Sequence, residues 1–310
     1  FELGYLSADE YEEAEIPDEM VRYCQKNGYR ISDNIGDENS IGDFGSSFSN
    51  LSNDTIEYPS LIYDGPFSDS TLNSKIKNLN FGEVSVDVAK QNLKNIFTNV
   101  ADNNFEYVGE TSGKFDTYNF EFEINNKIVY VQVTKNGGKL LTMSANDNSD
   151  EQNYTVGQAI NMSINFANKC GIGNLKCVWS DVVGDDAYIN LAPVVNGIIM
   201  YPDLVKVKVD LANGVVSGFE ASPYYTNHIQ RNLKTASFSK ERAEQLIPNG
   251  YIKQTTSLCV VPLEFGEEKL CYEIECLNLG DSYYIYVNAN SGEIENVLKV
   301  IETDDGNLLM

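Results

Sequence analysis

Apolar and polar positions alternate with a helical period in three stretches of the chain, and each stretch opens in the same way. A hydroxyl residue is followed four positions later by alanine: Ser85 and Ala89, Thr155 and Ala159, Ser239 and Ala243. A serine or threonine in that place caps a helix by accepting a hydrogen bond from a first-turn N–H. Behind the caps, Ala89, Leu93 and Ile96 form one stripe, and Ala159, Met162, Phe166 and Ala167 form a second. The third stripe, Ala243 and Leu246, is cut short by Pro248. The spacing predicts three helices, each with one apolar face.

Between and after these helices the period changes to two. Val131 and Val133 run toward Asn136-Gly137 and Gly138, Val207 and Val209 toward Asn213 and Gly214, and Ile285 and Val287 toward Asn290-Ser291 and Gly292. Alternation that ends in Asn and Gly marks a hairpin, because both residues tolerate positive φ. Ser85 to Gly138 and Ser239 to Gly292 both span 53 positions, while Thr155 to Gly214 spans 59. The chain therefore reads as α+β, with three tandem modules, each a helix on a small antiparallel sheet. A unit of about 65 residues buries too little apolar surface alone and packs on its neighbours. The helices are expected on one sheet face, with the other face able to stay wet.

Residues 1–57 differ in character. Acidic residues from Asp9 to Glu19 surround Tyr11, Ile16, Met20, Val21 and Tyr23, and Pro17 divides two short helical pieces. Residues 29–57, rich in Ser, Asn, Asp and Gly, read as a linker. The resulting boundaries are an acidic leader over 1–57 and modules over 58–148, 149–234 and 235–310.

Charge narrows the function classes. With 46 acidic against 22 basic residues, the chain carries a formal charge of −24, which disfavours nucleic acid and an unaided grip on anionic lipid. No run of eighteen apolar residues occurs, so nothing in the chain reads as a membrane span, and any anchor would lie upstream of Phe1. Cys24, Cys170, Cys177, Cys259, Cys271 and Cys276 include no C-x-x-C pair, and a single histidine argues against a Cys/His zinc site. The cysteines read as buried thiols, with a bridge among Cys259, Cys271 and Cys276 open if those residues lie on paired strands.

Several ordered stretches resemble the YpeB family of spore germination proteins. They are Tyr58-Pro59-Ser60-Leu61-Ile62-Tyr63-Asp64-Gly65-Pro66-Phe67-Ser68-Asp69, Tyr201-Pro202-Asp203-Leu204-Val205, Gly218-Phe219-Glu220-Ala221, Asn227-His228, Cys271-Tyr272-Glu273 and Val287-Asn288-Ala289. The resemblance implies that the repeats are PepSY modules in a spore protein on the outer side of the inner spore membrane. It implies a non-catalytic protein that binds and stabilises the cortex-lytic enzyme SleB, with restraint of that enzyme as a further possibility. Ser70 and Ile294 depart from the family pattern, so neither position carries a role here. A peptidoglycan-binding module that localises cortex hydrolysis is the alternative, and a carboxylate hydrolase is a third.

No catalytic constellation, cofactor site or metal site emerges. His228 is the one imidazole and reads as a structural histidine in a loop. Glu121 with Glu123, and Glu273 with Glu275, sit at i and i+2 and read as solvated strand faces. Gly171-Ile172-Gly173 reads as a helix C-cap, and Asp147 to Asp150 lacks the glycine and terminal glutamate of a calcium loop. Trp179 reads as core. The candidate partner-binding residues are Tyr58, Tyr63, Asp64, Pro66 and Phe67, whose aromatics suit an interface as well as they suit the fastening of the leader.

Overall fold

The computed structural model describes residues 67, 75–101, 104–124, 126–145, 152–233, 235–263, 267–303 and 306–309. The leader and the acidic run at 147–150 lie outside the described residues. In chain order the elements are α1 (Val86–Ile96), β1 (Glu106–Thr111), β2 (Thr117–Ile124), β3 (Lys127–Thr134), β4 (Leu140–Ala145), α2 (Val156–Lys169), β5 (Leu175–Val183) and β6 (Asp186–Val195). Then come β7 (Ile198–Met200), a 3₁₀ turn (Tyr201–Asp203), β8 (Val205–Asp210), β9 (Val215–Glu220), α3 (Ser222–Asn227) and α4 (Lys240–Gln245). The chain closes with β10 (Ile252–Pro262), β11 (Glu268–Asn278), β12 (Asp281–Asn288), β13 (Ile294–Thr303) and β14 (Gly306–Leu309). The architecture is α+β.

The three caps form as the sequence requires. Ser85 accepts from the N–H of Val88, Thr155 from Gln158 and Ser239 from Arg242, and Thr155 with Gln158 completes a capping box. The stapling of each helix to its hairpin is just as regular. The residue before each cap (Val84, Tyr154 and Phe238) donates its N–H at 2.9 Å to Lys135, Leu211 and Ala289, each three residues before the hairpin glycine. Gly138, Gly214 and Gly292 have φ of 60°, 66° and 79°. A Cβ on Gly214 would sit 2.5 Å from the Tyr154 ring, and one on Gly292 2.5 Å from Phe238. Glycine is thus required twice over, by backbone conformation and by the ring against it.

Strand pairing follows the order β1-β2-β3-β4-β9-β8-β6-β7-β10-β11-β12-β13-β14, with β5 on the free side of β6. The first two copies therefore share one sheet through the β4–β9 pair. Cross-strand partners Phe120, Val131, Met143, Phe219, Val207 and Ile189 form a row on the face that α1 and α2 cover. One residue along each strand, Asn119, Gln132, Thr142, Glu220, Lys206 and Asn190 form a row on the opposite face. That face is polar but not wet: Asn119, Gln132, Lys206 and Glu220 are buried, with Thr142 donating to Gln132 and Gln132 to Asn119.

Two further expectations change. In the third copy Leu246 is 42% exposed and Ile247, at 7%, fills its place, because the helix stops at Gln245 and the chain turns before Pro248. Helix α3 lies where a loop was expected, opened by Ser222-Pro223 with proline in its first turn. Gly171 does cap α2, with Gly171 donating to Asn168 and Ile172 to Ala167 in a Schellman arrangement. Trp179 is buried as expected.

Gly214→Ala is expected to cost about 2–3 kcal/mol, from backbone strain and the collision with Tyr154. Gly184, with φ of 61° but open space around its Cβ position, isolates the strain alone. Gly184→Ala should cost about 1 kcal/mol. Urea unfolding of both variants checks the difference.

Candidate functional site

The second copy is six residues longer between cap and glycine than its sisters, and the surplus has a location. The β2–β3 and β11–β12 connections are tight turns, whereas β6 and β8 are joined through β7 and the Tyr201–Asp203 turn. Strand β7 pairs antiparallel with the end of β6 and parallel with β10, so this insertion couples the second copy to the third. Pro202 fixes the turn, and its two neighbours point into two different buried environments.

Tyr201 enters an aromatic nest on the face of the third sheet opposite α4. Its ring meets Phe67 edge-on at 5.3 Å and Tyr286 at 6.2 Å, and Phe67 meets Tyr286 at 5.0 Å. Cys259 and Cys271, cross-strand partners on β10 and β11, complete the nest with Ala192 and Val261. The Tyr201 hydroxyl donates to Glu273, and Tyr286 lies beside the same carboxylate. Glu273 is therefore not on a solvated face: it is buried, because β5–β7 and Phe67 cover the strand face that alternation alone leaves open. Burial pushes its carboxyl up, opposed by the two tyrosine hydroxyls.

Asp203 enters an ionic node. Its side chain is 0% exposed, and both of its oxygens accept from the Arg231 guanidinium at 2.7 Å. The same guanidinium, 6% exposed, reaches Glu268 on β11 through Nε at 2.6 Å and Nη2 at 2.8 Å. His228, the residue after α3, brings Nδ1 to 2.7 Å from Asp203 and stacks on Tyr224 at 4.5 Å. Asn227 donates to the Pro202 carbonyl at 2.7 Å. The histidine expected to be structural is held on two sides. Asp203 and Arg231, which pattern reading did not single out, organise the node. The signals for Asp203 were the surplus spacing of the second copy, whose insertion carries it, and its place in the Tyr201–Val205 stretch.

Of the candidate partner-binding residues, Phe67 is half-buried in the nest, while Tyr58, Tyr63, Asp64 and Pro66 lie outside the described residues. The five described cysteines are free thiols, and Cys24 lies outside the described residues. Burial holds the Cys271 thiol up at about 12. Glu121 is half-buried and Glu123 exposed. Among the described residues no group of His, Cys, Asp or Glu is arranged to hold a metal ion.

A family model described as "YpeB sporulation, PepSY1 and PepSY2 domains" matches residues 45–234, more than half of the chain. The chain belongs to the YpeB sporulation family. A second model, "Peptidase propeptide and YPEB domain", matches residues 241–298. The chain is 28% identical to the sporulation protein YpeB of Bacillus subtilis, over 69% of this chain and 49% of that protein. It is 27% identical to the sporulation protein YpeB of Halalkalibacterium halodurans, over 64% of this chain and 44% of the other. The chain thus spans about half the length of the curated relatives it matches. The solved structure of the Bacillus megaterium YpeB C-terminal domain matches with a TM-score of 0.63 at 28% identity, over 70% of this chain and 98% of that one. In the YpeB-family chain the joint straddles both matched regions: Tyr201, Asp203 and His228 fall in the first, Glu268, Glu273 and Tyr286 in the second.

Two expected outcomes follow from burial. Arg231→Met removes the guanidinium partner of the buried Asp203 carboxyl and of Glu268 and should cost about 3–5 kcal/mol. Combining it with Asp203→Asn should cost less than the sum of the single changes, and a double-mutant cycle in urea measures that coupling. Burial also pushes the Glu220 carboxyl from 4.5 up to about 7, with Lys206 opposing. Between those values the unfolded chain sheds the proton and the folded chain keeps it, so stability falls as pH rises. Glu220→Gln should reduce the loss between pH 5 and pH 8 by about 3 kcal/mol, read from unfolding at both pH values.

Proposed function

We propose that this chain is a non-enzymatic spore protein that binds and stabilises the cortex-lytic enzyme SleB. Its relatives are named sporulation proteins. The observation that carries the reading is the use made of the chemically able residues. His228, Glu268 and Glu273 are spent on the joint between the second and third copies, in contact with Arg231, Asp203 and Tyr201. Side chains committed to salt bridges and ring stacking hold two sheets in one relation, which suits presentation of a surface. A glycosidase needs two carboxyl groups facing each other across an open cleft. Glu273 is instead sealed among rings and Glu275 accepts from Thr255 on the neighbouring strand.

On this reading the protein works on the outer side of the inner spore membrane, anchored by sequence outside this chain. Tyr58, Tyr63, Asp64 and Pro66, which precede Phe67 in the chain, are proposed with it as partner contacts. The test is co-purification of SleB from spores with the intact, anchored protein, and wild type is expected to hold it. Repeated failure would sink the reading. Retention on cortex in spores lacking SleB would favour the peptidoglycan module instead, and release of muropeptides by the purified chain would establish a hydrolase.

A further inference from the structure

A cleft of about 470 Å³ opens at the seam between the first and second copies. Its walls are the end of α1, the β2–β3 turn, the second half of α2 and the β8–β9 turn. Phe97, Met143, Met162 and Phe166 make it apolar, and methionine side chains reshape readily around an inserted group. Phe97 and Phe166, one from each copy, meet at 5.8 Å, so the cleft lies over a shared core rather than between loose parts.

Its polar features are specific. Ser217 lines the cleft and is 3% exposed, and its Oγ has no hydrogen-bond partner among the described residues. Asn165 and Asn213 add amides to the lining. The charged lining residues are Lys127, paired with Asp210 at 3.0 Å, and Lys169. Among the described residues no carboxylate lines the cleft. A buried hydroxyl without a partner costs free energy that a ligand able to hydrogen-bond recovers.

We propose that this cleft receives a peptide segment of a partner protein, with one large apolar side chain seated among the four named residues and an acidic residue beside Lys169. The backbone of that segment meets Ser217 and the asparagines. A bare alkyl chain would leave the Ser217 hydroxyl unsatisfied, which favours a peptide. Lys169, with no carboxylate among the described lining residues, selects a segment of negative charge. The proposal rests on the protein-binding reading above and gives it a surface.

The experiment selects random displayed peptides on the full chain, then titrates a labelled selected peptide against wild type, Asn165→Trp and Lys169→Glu. Both positions are exposed on α2, so the folded state should survive, as thermal unfolding will report. Selected peptides are expected to pair a large apolar residue with Asp or Glu, and both variants should weaken them by about tenfold or more. No enriched peptide, or peptides indifferent to both variants, overturns the proposal. So does dodecanoate binding where no peptide binds, which would make the occupant an amphiphile. Self-association lost in Asn165→Trp overturns it in favour of a second copy. The two readings separate with SleB. If wild type and Asn165→Trp hold SleB equally, the cleft proposal fails and the binding reading stands. If wild type does not hold SleB, the binding reading fails and the peptide titration alone decides the cleft.

Discussion

The arrangement of the second and third copies depends on one guanidinium between two carboxylates. Arg231 bridges Asp203, on the insertion of the second copy, to Glu268, on the second strand of the third. Removing three charges from water is costly, and a well-packed apolar joint would be as stable. What the ionic joint adds is an angular demand: a planar fork meets both oxygens of Asp203 only in one orientation, and a slipped register leaves a buried charge alone. Asp203, Arg231 and His228 thus act as one unit.

The hairpin staple sets a comparable constraint within each copy. Its backbone bond, from the residue before the cap to the carbonyl three before the glycine, joins the first turn of a helix to the far end of the same unit. That closure fixes the cap-to-glycine distance and makes the 53-residue spacing meaningful. The second copy lengthens in the connection between its second and third strands, which leaves that closure untouched. The joint was built there: β7 and the Tyr201–Asp203 turn are a local elaboration of one copy that the staple tolerates.

Much of this was legible in the residues because it rests on local chemistry. A hydroxyl cap, an alanine on the buried face at the fourth position and an Asn/Gly hairpin each follow from contacts within a few residues. The joint was less legible because its contacts are distant in sequence. Arg231 finds Asp203 across 28 positions and Glu268 across 37, and no periodicity links them. Glu273 shows the same limit: alternation with Glu275 reads as a wet face, and only β5–β7 and Phe67 folding over it make it buried. Leu246 and Ile247 exchange places because helical phase ends with the helix, which stops at Gln245, one residue short of Leu246. Asp203 left two traces, the extra length of the second copy and its place in the Tyr201–Val205 stretch.

The polar row beneath the first two copies and the aromatic nest beneath the third now take on a common meaning. Both occupy the sheet face that a solitary helix-and-sheet unit would leave to water, and both are buried. In the first, Thr142 donates to Gln132 and Gln132 to Asn119; in the second, Tyr201 donates to Glu273. Neither face would be stable in an isolated copy, whose hydrogen-bonding groups would compete with solvent and whose rings would lie bare. For the third copy the cover comes from its neighbour, because β5–β7 and Phe67 fold over the strand face that carries Glu273. Rigidity of that kind is what a protein needs if its work is to present a surface in one shape.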